Sequence, residues 1–294
     1  MIDPAERDSD RALGFIIPSR HARGRIVRLS ASLQAVLSAH GYPPVIEELL
    51  SEALVVTALL GAMLKDAAGQ LTMQAQTEGG AVSLMVCDYK GGEVRGYVQH
   101  DDDLLAEVPT QPSLFALFGK GYLAITFDQA VSGERYQGIV PLEGASLADA
   151  VESYFAQSEQ IPSLVRVAIG DGVAGGMLLQ HLAEGEEGRD RIHTRLDHPE
   201  WGHVAIMGGT IKDVELLDEA LPLETLVWRL FHEEEEVRVL GGASLTRGCR
   251  CDLDHIKSVI ARFPDEERDQ MADDEGIIRV NCEFCSTNFP ISAR

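Results

Sequence analysis

Four of the chain's five cysteines crowd its C-terminal end, as Cys249-Arg250-Cys251 and Cys282-Glu283-Phe284-Cys285. Nothing else in the sequence restricts the fold as tightly, because two close pairs of thiols ask for a common partner. Thiolates are soft ligands, and a closed tetrahedral site of four sulfurs suits Zn²⁺. A CxxC on a tight turn points both sulfurs at one ion. Ile278-Arg279-Val280 before it reads as the strand that enters a zinc knuckle. The spacing predicts one Zn²⁺ held by Cys249, Cys251, Cys282 and Cys285. The CxC half is unusual, since most structural sites space their ligands by two to four residues. Four unconnected buried thiols are the plainer alternative, and the two tight pairs argue against it. His255, among the apolar positions Ile256, Val259, Ile260 and Phe263 of a short amphipathic helix, reads as an exposed side chain rather than a ligand. Cys87, alone in an apolar strand, reads as a small core residue.

The block 241–294 also needs the metal. It has few large apolar side chains and cannot build a self-sufficient core. Zinc in small cysteine sites contributes about 10–16 kcal/mol at neutral pH. That is comparable with the roughly 5–15 kcal/mol that holds an ordinary domain together. The pairing suggests a switch: two-electron oxidation of neighbouring thiolates would join 249 to 251 and 282 to 285. Such disulfides close very small loops and constrain the unfolded chain little. Oxidation would then eject zinc, remove most of the block's stabilisation and unfold it locally. Tandem zinc pairs without any switch are the commoner case, so a zinc-ribbon binding module stays open beside it.

A chain of 294 residues can bury one sizeable core and one or two smaller units. Its 47 Asp and Glu outnumber its 25 Lys and Arg, giving a net charge of −22. Such a surface repels phosphate backbones and anionic lipid, which argues against nucleic-acid and membrane partners. The start, MIDPAERDSDR, is charged and lacks the apolar stretch of a signal peptide. The longest apolar run, 53–64, is too short to cross a bilayer and suits a buried helix. The expectation is a cytoplasmic protein, in a compartment where clustered cysteines are metal ligands or redox groups more often than permanent staples.

Residues 24–29 alternate apolar and basic and read as a strand. A helix capped by Ser30 or Ser32 ends near His40-Gly41, and Pro43-Pro44 opens a second, broad-faced helix. Strands follow at 71–76, 82–87, 93–98, 123–127 and 135–140, punctuated by Gly79-Gly80, Gly91-Gly92 and Gly133. A helix at 147–155 and a strand at 164–169 complete a core domain, 1–182. Short turns between adjacent strands imply a mixed, largely antiparallel sheet packed with helices, hence α+β. Residues 183–240 form a charged, helical linker. In it Leu223, Leu226, Val227, Leu230 and Phe231 make one apolar stripe that needs something to rest on. Gly208-Gly209 and Pro222 suggest a loosely held connection. The third unit is the small four-cysteine zinc domain, 241–294.

Other chemistries fit less well. Gly170-Asp171-Gly172-Val173-Ala174-Gly175 matches G-x-G-x-x-G, yet no long helix follows, so a strand-to-strand turn is the better reading. A nucleic-acid ribbon should be basic, whereas 241–294 holds seven Lys and Arg against ten Asp and Glu. A thiol–disulfide oxidoreductase using Cys282 and Cys285 would place its CxxC at a helix start, and Ser286-Thr287-Asn288-Phe289-Pro290 is poor helix material. There is no nucleophile–base motif, so no enzyme is predicted and no catalytic residue is assigned. Five of nine histidines fall between 181 and 232, in a tract where surface positions are expected.

The residues resemble the 33 kDa heat-shock, redox-regulated chaperone family over nearly the whole chain. The CxC…CxxC pattern is that family's hallmark. YPPVIEELLSEALVVTALLGAMLK (42–65), GQLTMQAQ (69–76), VRGYV (94–98), FGKGYLAIT (118–126), ERYQGIVPLEG (134–144), YFAQSEQIP (154–162), AGGMLLQ (174–180) and LFHEEEEVRV (230–239) are similar to it as well. The resemblance implies an ATP-independent holdase, folded and inactive when reduced and zinc-bound. Oxidation would release zinc, form the disulfides Cys249–Cys251 and Cys282–Cys285, loosen the linker and expose apolar surface to unfolding client proteins. It also implies a homodimer in the oxidised state. Two departures stand out. Thr77-Glu78-Gly79-Gly80-Ala81 replaces the family's Gly-x-Gly-Pro turn, and the sequence stops soon after Cys285, at Arg294.

Overall fold

The structure is a computed structural model that describes residues 9–64, 66–131, 133–182 and 198–293. β1 (Arg11–Ile17) and β2 (Ala22–Leu29) form a hairpin. α1 (Ala31–Leu37) starts at Ser30, and α2 (Pro44–Gly61) starts at Pro43-Pro44, where the missing proline N–H costs nothing. A meander of β3 (Gln70–Glu78), β4 (Val82–Lys90) and β5 (Glu93–His100) turns at the predicted glycine pairs. Gly91 and Gly92 carry φ of 58° and 90°, the left-handed backbone a two-residue hairpin turn requires. α3 (Asp102–Leu105) and α4 (Leu114–Phe118) lead into the hairpin of β6 (Lys120–Asp128) and β7 (Arg135–Pro141). α5 (Leu147–Tyr154) opens on a Ser146–Asp149 capping box and precedes the hairpin of β8 (Ser163–Ile169) and β9 (Ala174–His181). The turn between those strands is closed by Gly170 N–H donating to the Val173 carbonyl, so the G-x-G-x-x-G match is the turn expected of it.

After residue 197 come α6 (Pro199–Gly209), α7 (Asp213–Leu217) and α8 (Leu223–Phe231). Three two-residue strands follow, β10 (Arg238–Val239), β11 (Ala243–Ser244) and β12 (Thr246–Arg247). α9 (Leu253–Ile260), α10 (Asp265–Met271), β13 (Ile277–Asn281) and β14 (Asn288–Ser292) finish the described chain. The first part of the expected linker, 183–197, with its histidine at 193, lies outside the described residues.

The class is α+β, as predicted, with two six-stranded sheets. One runs β10-β1-β2-β9-β8 with β11 also on β1, and the other runs β12-β5-β4-β3-β6-β7. Among the described residues every pairing is antiparallel except β12 on β5. α2 lies between the sheets and packs on strands of both. Thirteen of its 18 residues are buried, which is why its apolar positions cover most of its circumference. No helix among the described residues is long and apolar enough to cross a membrane.

The first sheet is covered on its other face by α6, α7 and α8. Leu13, Phe15, Ile17, Ile26, Met177 and Leu179 meet Trp201, Val204 and the α8 stripe there, forming a second core. That stripe is buried at the five positions predicted. Gly208 does not loosen the connection: a Cβ there would lie 2.2 Å from Leu179 Cδ1, so the glycine lets α6 approach β9 closely. Arg28, fully buried on β2, donates to the carbonyls of Leu216 (2.8 Å), Leu221 (2.9 Å) and Glu215 (3.1 Å), tying α7 to the sheet. Arg20 binds both Glu234 (2.8 Å) and Glu200, and His203 lies 2.8 Å from Glu234. His181 departs from the surface position expected of it. It ends β9 beneath α6, is 1% exposed, and its ring lies 4.9 Å from His198 and 6.2 Å from Trp201. His203 and His232 are exposed as expected.

Candidate metal centre

The two cysteine pairs reach one place by different routes. Thr246 N–H donates to the Gly92 carbonyl and Gly248 N–H to the Val94 carbonyl, each at 3.0 Å, so β12 delivers Cys249 and Cys251 to the edge of the second sheet. Asp252 then caps α9 by accepting from Asp254 N–H (2.9 Å), ending the CxC excursion at once. Cys282 and Cys285 stand on the turn between β13 and β14. Cys282 N–H donates to the Thr287 carbonyl (3.0 Å), and Cys285 and Ser286 N–H groups donate back to the Cys282 carbonyl (3.3 and 2.8 Å). Ser286 carries φ 54°, which swings the chain back into β14. The second pair thus stands on a strand-to-strand turn in a hairpin and not at a helix start.

The four sulfurs lie within 4.8 Å of one another. Cys249 is 3.3 Å from Cys251 and 3.6 Å from Cys282, and Cys251 is 3.7 Å from Cys285. Sulfurs placed tetrahedrally about 2.3 Å from one ion would be about 3.8 Å apart, so the donor set fits a metal ion and is compatible with zinc. All four cysteines are free thiols and half-buried.

Burial, then hydrogen bonds with Cys249 and Cys285, pushes the Cys251 thiol up to about 12. Burial also pushes Cys282 up. At Cys285 burial is outweighed by hydrogen bonds from the Thr287 hydroxyl and backbone N–H, and the thiol comes down to about 6. Four negative sulfurs at this spacing repel one another unless a cation sits among them, and a divalent ion deprotonates coordinating thiols outright. His255 is exposed on α9 and stands outside the cluster. Cys87 is fully buried, with its thiol pushed up by that burial, as a core residue's would be.

Beneath the sulfurs the module has almost no core. From Cys249 onward, Ile278, Ile291 and Ala293 are the buried apolar side chains among the described residues, and α9 and α10 bury none. What holds the module against the second sheet was not visible in the spacing. Beside the β12 pairing, two residues inside the motifs do so: Arg250, which donates to Gln70 Oε1 (3.0 Å), and Phe284, whose ring meets Tyr97 edge-on at 4.9 Å. The only signal for either was its position between two cysteines.

A family model described as "Hsp33 protein" matches residues 10–292. The chain is similar to the "33 kDa chaperonin" of Caulobacter vibrioides (strain NA1000 / CB15N), at 39% identity over 94% of this chain and 93% of the relative. It is also similar to the protein of that name from Shigella boydii serotype 4 (strain Sb227), at 34% identity over 97% and 92%. Among solved structures, the crystal structure of the 33 kDa chaperonin (heat shock protein 33 homolog) from Thermotoga maritima superposes with a TM-score of 0.78 at 23% identity. It covers 97% of this chain and 95% of that one, and shows the same fold.

Proposed function

This chain belongs to the Hsp33 family, a family of chaperones, and on that premise we propose that it is an ATP-independent holdase kept inactive while Cys249, Cys251, Cys282 and Cys285 are reduced and share one Zn²⁺. It binds unfolding client proteins and catalyses no reaction. The supporting observation is the gathering of four sulfurs within 4.8 Å at the end of a module with almost no core of its own. When bound, the ion supplies the positive charge and the cross-link that such a module lacks.

Activation is an oxidation of the chain's own thiols. Hydrogen peroxide takes two electrons from each adjacent pair, joining Cys249 to Cys251 and Cys282 to Cys285. Each disulfide consumes one peroxide and two protons and yields two waters. The sulfurs so joined no longer serve as thiolate ligands, and the module 241–294 loses its cross-link. The linker 183–240 loosens with it, and apolar surface on the core domain 1–182 becomes available. The setting is the cytoplasm, the oxidised form pairs as a homodimer, and neither nucleic acid nor membrane is a partner.

One experiment tests the reading: zinc release, free-thiol count and suppression of a client's thermal aggregation, before and after peroxide. Activation should accompany the loss of zinc and of four thiols. If the reduced zinc form protects clients as well as the oxidised form does, the switch fails. The lowered thiol of Cys285 is the one feature that favours a thiol–disulfide oxidoreductase instead. Robust reduction of insulin with a thiol donor would count for that reading.

A further inference from the structure

Two of the three side chains enclosed by the cysteine pairs, Arg250 and Phe284, land on the same spot of the second sheet. Arg250 lies 3.8 Å from Asp88 and 3.9 Å from Glu93, besides its bond to Gln70. Asp88 has a nearly buried carboxylate that also accepts from Arg95 (2.6 Å) and from the Thr72 hydroxyl (2.7 Å). Arg95 in turn places its guanidinium carbon 3.9 Å from the centre of the Phe284 ring. The same ring stands at 88° to Tyr97, and Ser286 Oγ lies 3.4 Å from His40 Nδ1. Phe284 is thus seated as a ligand is seated, one face on a cation and an aromatic neighbour set edge-on.

The seat is part of the sheet, not of the module. Asp88, Arg95, Tyr97 and Thr72 belong to three paired strands, and the Asp88 carboxylate keeps Arg95 and Thr72 when Arg250 is withdrawn. Directly opposite Tyr97 in the ladder is half-buried Val86, and the row continues through Gln74 and Ala124 to exposed Ile139 on β7. An extended chain anchored at the seat therefore has a row of apolar side chains, broken at Gln74, to follow across the sheet.

Building on the chaperone reading, we propose that Arg95 and Tyr97 form an aromatic-accepting site for unfolded segments, and that Phe284 occupies it as long as the cysteine module is folded. The occupant in the client is an exposed aromatic side chain on a flexible segment, because that is what the site already holds. Unfolding of the module removes Phe284 and Arg250 together and frees the seat.

The test uses full-length, reduced, zinc-loaded protein and a short fluorescent unstructured peptide with one central Phe, beside a twin in which that Phe is Ala. Phe284→Ala with unchanged metal content should bind the Phe peptide about tenfold tighter than wild type does. The twin should show no gain, and adding Tyr97→Ser should remove the gain. Equal affinities of wild type and Phe284→Ala overturn the proposal, as does a gain that survives Tyr97→Ser. If Phe284→Ala loses its metal, the peptides are compared on peroxide-oxidised wild type and oxidised Tyr97→Ser. A preference for Phe that Tyr97→Ser abolishes supports the site, and an undiminished or absent preference overturns it. The chaperone reading fails on a different result: oxidised wild type that holds back no aggregation of a thermally unfolding client. Oxidised wild type and Tyr97→Ser that both hold the client without distinguishing the peptides sink the aromatic site alone.

Discussion

Single residues divide here into those whose chemistry announces them and those whose surroundings define them. The cysteines are of the first kind. Replacing Cys282 and Cys285 by Ser removes half the sulfurs, and the expected outcome is loss of bound zinc and rapid protease digestion after residue 248, read by metal analysis and limited proteolysis. The binding energy at stake is about 10–16 kcal/mol, so undiminished resistance would contradict a metal-dependent module. Arg28 is of the second kind. On an apolar–basic strand it looks like a solvent-facing cation, and it is buried only because α7 and α8 close over that face of the sheet. Arg28→Ala leaves three carbonyls without their donor and opens a cavity, so a loss of about 3 kcal/mol or more is expected in denaturant unfolding. Hydrogen exchange should rise first across 213–221.

Elements were legible where one face met water. The strands of the second sheet alternate and were found within a few residues of their true ends. β1 and β9 were not, because both faces of the first sheet are covered: all eight residues of β9 are buried, which erases the period of two. The layer α6–α8 is held at its rim by Glu234, whose side chain is 5% exposed. Burial would raise that carboxyl, and the hydrogen bonds with Arg20 and His203 outweigh it, so it titrates below the ordinary glutamate range. A carboxyl lowered on folding stabilises above its unfolded value of about 4.3 and loses that contribution as pH falls through the folded value, while Arg20 stays charged. The layer should therefore loosen in acid, below about pH 4. Glu234→Gln should be loosened already at neutral pH, by about 1–2 kcal/mol, with a flatter acid dependence. Exchange rates across 199–231 at the two pH values check both.

At the scale of the whole molecule, three layers of different size share one chain: a large core around α2, a second core under α6–α8, and a module with four gathered sulfurs and few buried side chains. Chelating the metal from the reduced protein should unfold the module at once and leave one calorimetric transition, the sheets melting close to their original temperature. A single transition shifted as a unit would count against that hierarchy. The net charge of −22 keeps such a partly opened chain soluble. The gathering of the four cysteines was readable because its chemistry is local in sequence. The proposed client seat was not, because it is made of cross-strand neighbours brought together from three hairpin strands and a distant turn. Between helix layer and module, β10 and β11 hang on one sheet and β12 on the other, each by two residues. Pulled from the C-terminal side, that seam unzips tooth by tooth, each stitch yielding under a small load and re-forming when the tension goes. A chain sewn this way can be undone to a chosen depth and rewound, with its fabric left whole.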